Sequence, residues 1–339
     1  MTPYLSKKIK IISFSSMLLV VFLHGQLISM STGMVLWIQL LITQEITRVA
    51  VPLFFLISGY LFFHNYKEPT YSFFTEKIKN RFYTVFIPYV LWSTLGLLFL
   101  YVAQIILPAS SIEKMVVRYG LRDILYAIFV SPVGTYQLWF LRDLYILVML
   151  SPIIYWGIKY LKVYFVVCLM LFWINGVQCF IQIDAIFFFV AGAYWAFSSQ
   201  KRIERIHNSH IANMILFFVW VSYCCLIVDA KMGHILHCIG ILLGIVCIWH
   251  CYDSVYLFLS KNVLNANIYS YSFFIYLTHE PLLTIVKKTS LMLVDNDSMV
   301  AIFIIYILSP ILVIRICISI GQIMKSKIPS IYSFITGRR

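Results

Sequence analysis

Lys7-Lys8-Ile9-Lys10 is followed by Ile11-Ile12-Ser13-Phe14-Ser15-Ser16-Met17-Leu18-Leu19-Val20-Val21-Phe22-Leu23-His24. A basic step followed by a long apolar run reads as a membrane-crossing helix that starts on the cytoplasmic side. No small-residue cleavage site follows the run, so it reads as a retained first helix and not a signal peptide. His24 is the exception in the run. An ionisable side chain within a membrane span is costly, and it marks either a function or a polar partner on a neighbouring helix.

Composition extends this reading to the whole chain. The 339 residues are 62% hydrophobic and 12% charged, with a mean hydropathy of +0.90. Soluble chains carry about 25% charged residues, so this chain lacks the polar surface of a soluble protein. The expectation is an all-α polytopic membrane protein, a single transmembrane domain over 1–339. About ten apolar segments run over 9–30, 48–64, 84–107, 138–158, 163–180, 184–198, 211–229, 234–252, 268–286 and 299–324.

The formal charge of +13 comes from dispersed cations without a long basic run or interleaved aromatics, so nucleic acid is excluded as a partner. The cations carry topology instead. Lys7, Lys8, Lys10, Lys77, Lys79, Arg81, Lys159, Lys162, Lys325 and Lys327 fall on the inner side, against Arg48, Arg118, Arg122, Lys287 and Lys288 outside. This asymmetry places both termini in the cytoplasm, with Lys287 and Lys288 running against it. The eight cysteines lie mostly in apolar segments and read as small packing residues, not as a disulfide framework.

Ionisable groups converge at one depth. His24 lies 14 residues past Lys10. A helical rise of about 1.5 Å per residue puts it about 21 Å above the inner boundary of a core about 30 Å thick. His279 reaches a similar depth on its own span. Glu45 and Arg48 stand at the outer mouth of the second span. Trp139, Arg142 and Asp143 open the fourth, Asp184 opens the sixth, and Glu280 follows His279. Such groups coexist in a bilayer only by facing one another or a water-filled cavity. Structural ion pairing, such as Arg142 with Glu280 or Arg48 with Asp143, is one reading of the charges. For the histidines the expectation is chemistry, because imidazole titrates near neutral pH and can take a proton from a hydroxyl. Spacing does not say which carboxylate orients it. At the inner boundary, the cluster Lys77-Ile78-Lys79-Asn80-Arg81 reads either as an anchor on anionic lipid or as a site for an anionic cytoplasmic ligand, since guanidinium suits phosphate.

His234 and His237 lack convincing further ligands, and no metal site is expected. Ser58-Gly59 reads as a helix-packing contact, not a nucleophile. A transporter or flippase for a polar solute would use the same intramembrane charges. It would also show pseudo-symmetric halves, which the sequence does not.

Five stretches, taken in order, resemble a known family. They are Val20-Val21-Phe22-Leu23-His24; Val51-Pro52-Leu53-Phe54-Phe55-Leu56-Ile57-Ser58-Gly59-Tyr60; Lys79-Asn80-Arg81-Phe82-Tyr83-Thr84-Val85-Phe86-Ile87-Pro88-Tyr89; Leu138-Trp139-Phe140-Leu141-Arg142-Asp143-Leu144; and Ser270-Tyr271-Ser272-Phe273-Phe274-Ile275-Tyr276-Leu277-Thr278-His279-Glu280-Pro281. The chain resembles the integral-membrane acyltransferase family 3, which includes surface-glycan O-acetyltransferases. The resemblance implies a bacterial inner-membrane enzyme. It would transfer an acyl group, usually acetyl from acetyl-CoA, to a hydroxyl of a polysaccharide or its lipid-linked precursor.

His24 matches the family's essential first-span histidine. Arg81 matches the first arginine of an Arg-x-x-Arg motif associated with the donor. His279 and Glu280 are expected to assist His24, and Glu45, Arg48, Trp139, Arg142 and Asp143 to shape the acceptor side. Two positions depart from the family. Ser13 stands where many members carry arginine, with Lys10 the nearest cation. Thr84 stands in place of the second arginine of Arg-x-x-Arg, leaving Lys77 and Lys79 as nearby cations.

Overall fold

The computed structural model describes residues 1–64, 69–106, 116–198, 209–228, 233–258, 267–294 and 298–338. Among these residues every regular element is helical. The first helix, α1, spans Pro3–His24 and is capped by the Thr2 hydroxyl, which accepts from the Leu5 amide. It ends where Gly25 N–H closes on Val21 and Phe22. His24 is therefore the last residue of the first helix, and the expected run to residue 30 stops short. The chain then turns back, tied by Leu27 N–H donating to Gln39 Oε1 at 2.8 Å and by Gln39 Nε2 donating to Ser31 Oγ at 2.6 Å.

Helix α2, Gly33–Leu40, passes through a π-helical turn at Leu41–Ile46 into α3, Ala50–Phe63. Helix α4, Tyr71–Arg81, likewise passes through a π turn at Phe82–Phe86 into α5, Ile87–Ile106. Such wide turns frequently mark functional sites. A short helix, α6, Leu121–Phe129, packs Ala127 against Leu97 of α5.

Helix α7, Trp139–Met149, and helix α8, Ser151–Leu161, were expected as one segment over 138–158. They are bent by 62°. Pro152 is the physical reason, since its ring collides with the carbonyl four residues earlier and breaks the helix ladder.

Helices α9, Val163–Ile174, and α10, Ile183–Ser198, are short. Helices α11, His210–Ile227, α12, His234–Phe258, α13, Ser272–Met292, and α14, Met299–Lys327, complete the bundle. A last short helix, α15, covers Pro329–Ile335.

Among the described residues five helices are long and apolar enough to cross a membrane, and six if the bent α7–α8 pair is one span. The remaining apolar segments fall short for identifiable reasons. Helix α9, at 12 residues, reaches only about 18 Å. Helices α1 and α13 are long enough but carry the lysines, His279 and Glu280.

The core lies where α1, α3, α10 and α13 meet. Helices α3 and α10 touch backbone to backbone. A Cβ on Gly59 would collide with the Phe189 carbonyl, and one on Gly192 with the Leu56 carbonyl. Paired glycines permit this approach, and close approach is how helices gain packing energy in lipid.

Lys8 is not an interfacial anchor. It is 0% exposed and pairs with Asp253 of α12 at 2.5 Å. The Tyr4 hydroxyl donates to the same carboxylate, and the Lys8 ammonium sits 4.4 Å above the Trp249 ring. This network ties α1 to α12.

Candidate active site

The end of α1 and the middle of α13 bring the two histidines together. Their rings stack with centroids 5.5 Å apart and planes 30° apart. His24 Nδ1 shares a hydrogen bond of 2.7 Å with the Tyr136 hydroxyl, from the turn that leads into α7. The Glu280 carboxylate lies beside that hydroxyl, and its Oε1 accepts from Thr284 Oγ1 at 3.2 Å.

His279 is fully buried. Its Nδ1 lies 3.1 Å from the Ile275 carbonyl and 2.9 Å from the Tyr276 carbonyl. A carbonyl only accepts, so His279 Nδ1 carries a proton. Its Nε2 has no hydrogen-bond partner among the described residues.

A cavity of about 720 Å³ opens beside His24. Its wall includes Arg48, Tyr136, Gln137, Trp139, Trp173 and Asp184, and both His234 and His237 reach it. Aromatic faces lie among amide, carboxylate and guanidinium groups, the mixture of apolar wall and a few placed polar groups that small-molecule sites use.

The expected acceptor-side residues divide. Trp139 and Arg48 line the cavity. Arg48 donates to Gln44, leaves its Nε without a partner, and has no ion pair among the described residues. Glu45 pairs with His237 at 3.2 Å.

Arg142 and Asp143 stand behind the wall. They pair with each other at 2.8 Å, while Arg142 also donates to the Val130 carbonyl. Asp143 Oδ2 accepts from Gln182 N–H at 3.0 Å. They fasten the loops around the cavity. The pairings weighed from sequence, Arg142 with Glu280 and Arg48 with Asp143, are replaced by Arg142 with Asp143 and Glu45 with His237. An adjacent residue and a histidine in the first turn of α12 are closer partners than spans read as isolated rods suggest.

At the other end of the bundle Arg81 closes α4, half-buried and without hydrogen bond or ion pair among the described residues. Lys79 is exposed, and Lys77 folds back over the Phe73 ring at 5.6 Å. Two separate sets of ring contacts lie here, one following Arg81 and one beside the histidines. Phe82 meets Phe86 at 5.3 Å, Phe86 meets Tyr89 at 6.3 Å, and Tyr276 meets His279 at 6.2 Å. Of the buried polar atoms beside them, the Tyr89 and Ser93 hydroxyls face each other, and the Gln137 side-chain amide lacks a hydrogen-bond partner among the described residues.

The family model of acyltransferase family 3, described as an acyltransferase domain, matches residues 14–320. The chain belongs to this family. No curated protein and no solved structure matches it. Membership makes this helical membrane protein an acyltransferase, with an acyl donor and an acceptor as its substrates.

Two residues of the candidate site escaped sequence reasoning. Tyr136 is one of 23 tyrosines, and nothing local distinguishes it. Lys287 carried a signal, its violation of the charge asymmetry. Its Nζ donates to the His24 carbonyl at 2.7 Å. The last carbonyls of a helix lack internal partners, and a cation suits that end of the dipole. Among the described residues no group of three or more His, Cys, Asp or Glu is placed to hold a metal ion.

Proposed function

We propose that this acyltransferase moves an acetyl group from acetyl-CoA to a hydroxyl of a cell-surface polysaccharide or its lipid-linked precursor. In this reading it works in a bacterial inner membrane through about ten crossing segments, with both termini cytoplasmic. The observation that carries the reading is His24 on the cavity wall with its Nδ1 engaged by Tyr136.

The chemistry follows from that contact. With Nδ1–H donating to the Tyr136 oxygen, the Tyr136 O–H turns to Glu280, and His24 Nε2 keeps its lone pair. This is the logic of a base oriented by a third group. The acceptor hydroxyl loses its proton to His24 Nε2 while its oxygen attacks the thioester carbon. The C–S bond breaks, and His24 returns the proton to the departing thiolate. His279 lies under the His24 ring and supports its orientation. Trp139 and Arg48 contact the acceptor, and Glu45, Arg142 and Asp143 hold the wall in place.

Arg81, with Lys77 and Lys79 nearby, takes the donor phosphates. The Gln137 side-chain amide, without a hydrogen-bond partner among the described residues, offers amide-bearing pantetheine a contact on the way to His24.

The test is acetyl-labelled coenzyme A supplied to membranes holding the intact protein or His24→Ala, with glycan esters read by NMR. Label incorporated by the intact protein and lost in the variant supports the reading. Intact protein that leaves the glycan unacetylated removes it. Solute uptake without ester formation would favour transport.

A further inference from the structure

The second arginine of Arg-x-x-Arg is missing at Thr84, and the fold brings another chain segment to that residue. Helix α15 docks on α5, with Trp92 Nε1–H donating to the Ile335 carbonyl at 3.1 Å. Thr336, almost fully buried, donates to the Tyr332 carbonyl at 2.6 Å. Gly337 follows at φ +68°, and its backbone lies on Thr84. A Cβ there would stand 2.7 Å from the Thr84 carbonyl oxygen and 2.8 Å from its Cα. Only glycine fits both the conformation and the space.

Arg338 comes next, also at positive φ, 65°. That conformation is uncommon for a residue with a Cβ, and it persists where the surroundings impose it. Here its N–H is held by the Ser333 carbonyl at 2.6 Å. The result is a guanidinium carbon 4.5 Å from the centre of the Tyr83 ring, in the π turn that follows Arg81.

We propose that Arg338 completes the donor-phosphate site of Arg81, standing in for the arginine that Thr84 replaces. This rests on the acyl-CoA reading above. Arg338 is exposed, and its planar fork keeps donors free for phosphate while its face covers Tyr83. Lys77 and Lys79 precede Arg81 on α4, Lys79 exposed and Lys77 over the Phe73 ring. Arg338 reaches the turn on the Thr84 side. The family match ends at residue 320, so this segment is a feature of the chain beyond it.

The test is coenzyme A binding to the purified full chain in detergent, by calorimetry. Arg338→Ala is expected to weaken Kd about tenfold or more, the scale of a lost charge-assisted contact. Arg338→Lys recovers only part, because an ammonium is a point charge. Thr84→Arg in the Arg338→Ala background restores binding, which a merely structural role would not produce. Adenosine 3′,5′-bisphosphate, which keeps phosphates and lacks pantetheine, loses affinity by the same factor.

Unchanged coenzyme A affinity in a folded Arg338→Ala overturns the proposal and leaves the acyl-CoA reading standing. So does a variant altered only in its melting temperature in phosphatidylglycerol vesicles, which assigns Arg338 to lipid. An intact protein that neither binds coenzyme A nor transfers acetyl removes the acyl-CoA reading, and this proposal with it.

Discussion

Lys287 Nζ donates to the main-chain carbonyl of His24 at 2.7 Å, so a lysine of α13 finishes the helix that carries the proposed base. Loss of a hydrogen bond to a charged group costs about 1.5–3 kcal/mol. Lys287→Met is expected to lower kcat of acetyl transfer by about 10- to 100-fold by freeing the end of α1. Lys287→Arg recovers part of it. Initial rates with protein level normalised by immunoblot provide the check, and an unaltered kcat in Lys287→Met would refute this role.

Tyr136 orients the His24 ring through one hydroxyl. His24→Ala is expected to lower kcat by about 10³-fold or more, within the range for general bases. Tyr136→Phe keeps the ring and removes the oxygen that selects the tautomer. A fall of about 10- to 100-fold in kcat, with the acceptor KM unchanged, is expected. Tyr136 is 49% exposed, so the folded fraction should not change, and size-exclusion profiles verify that.

The Lys8–Asp253 pair is a stability element away from the cavity. Removing one partner of a buried pair leaves an uncompensated charge, at about 3–5 kcal/mol. Lys8→Met is expected to lower the melting temperature in detergent sharply. The double variant Lys8→Met with Asp253→Leu should regain much of it. A double variant no better than the single would show that the charge, once isolated, is not the cause.

The α3–α10 contact tolerates no side chain at its centre. Gly192→Ala places a methyl against the Leu56 carbonyl, where backbone must give way. Overpacking costs about 1–3 kcal/mol, so less protein should be recovered folded from membranes. Gly233→Ala, with open space around it, should be silent in the same assay.

Much of this protein was legible in its sequence because hydrophobic length is a local property. Apolar runs gave helices with other bounds in several places, as where 9–30 ends at His24 and 138–158 breaks in two, while the run over 234–252 falls within α12. The family motifs and the convergence of His24 with His279 at one depth were also readable, since rise per residue is constant. Proline marked the break between α7 and α8 only once the bend was seen, because proline near a helix start is otherwise favourable.

What the sequence by itself determined is the class of molecule: its apolar helices and its family. The tertiary structure alone decided which charges find partners and which residues those are. Lys287 meets His24 across 263 residues, Lys8 meets Asp253 across 245, and Arg338 reaches Tyr83 from beyond the family match. Hydropathy is a sum over neighbours in the chain. Pairing depends on how helices rotate, tilt and end against one another, and no local pattern encodes that.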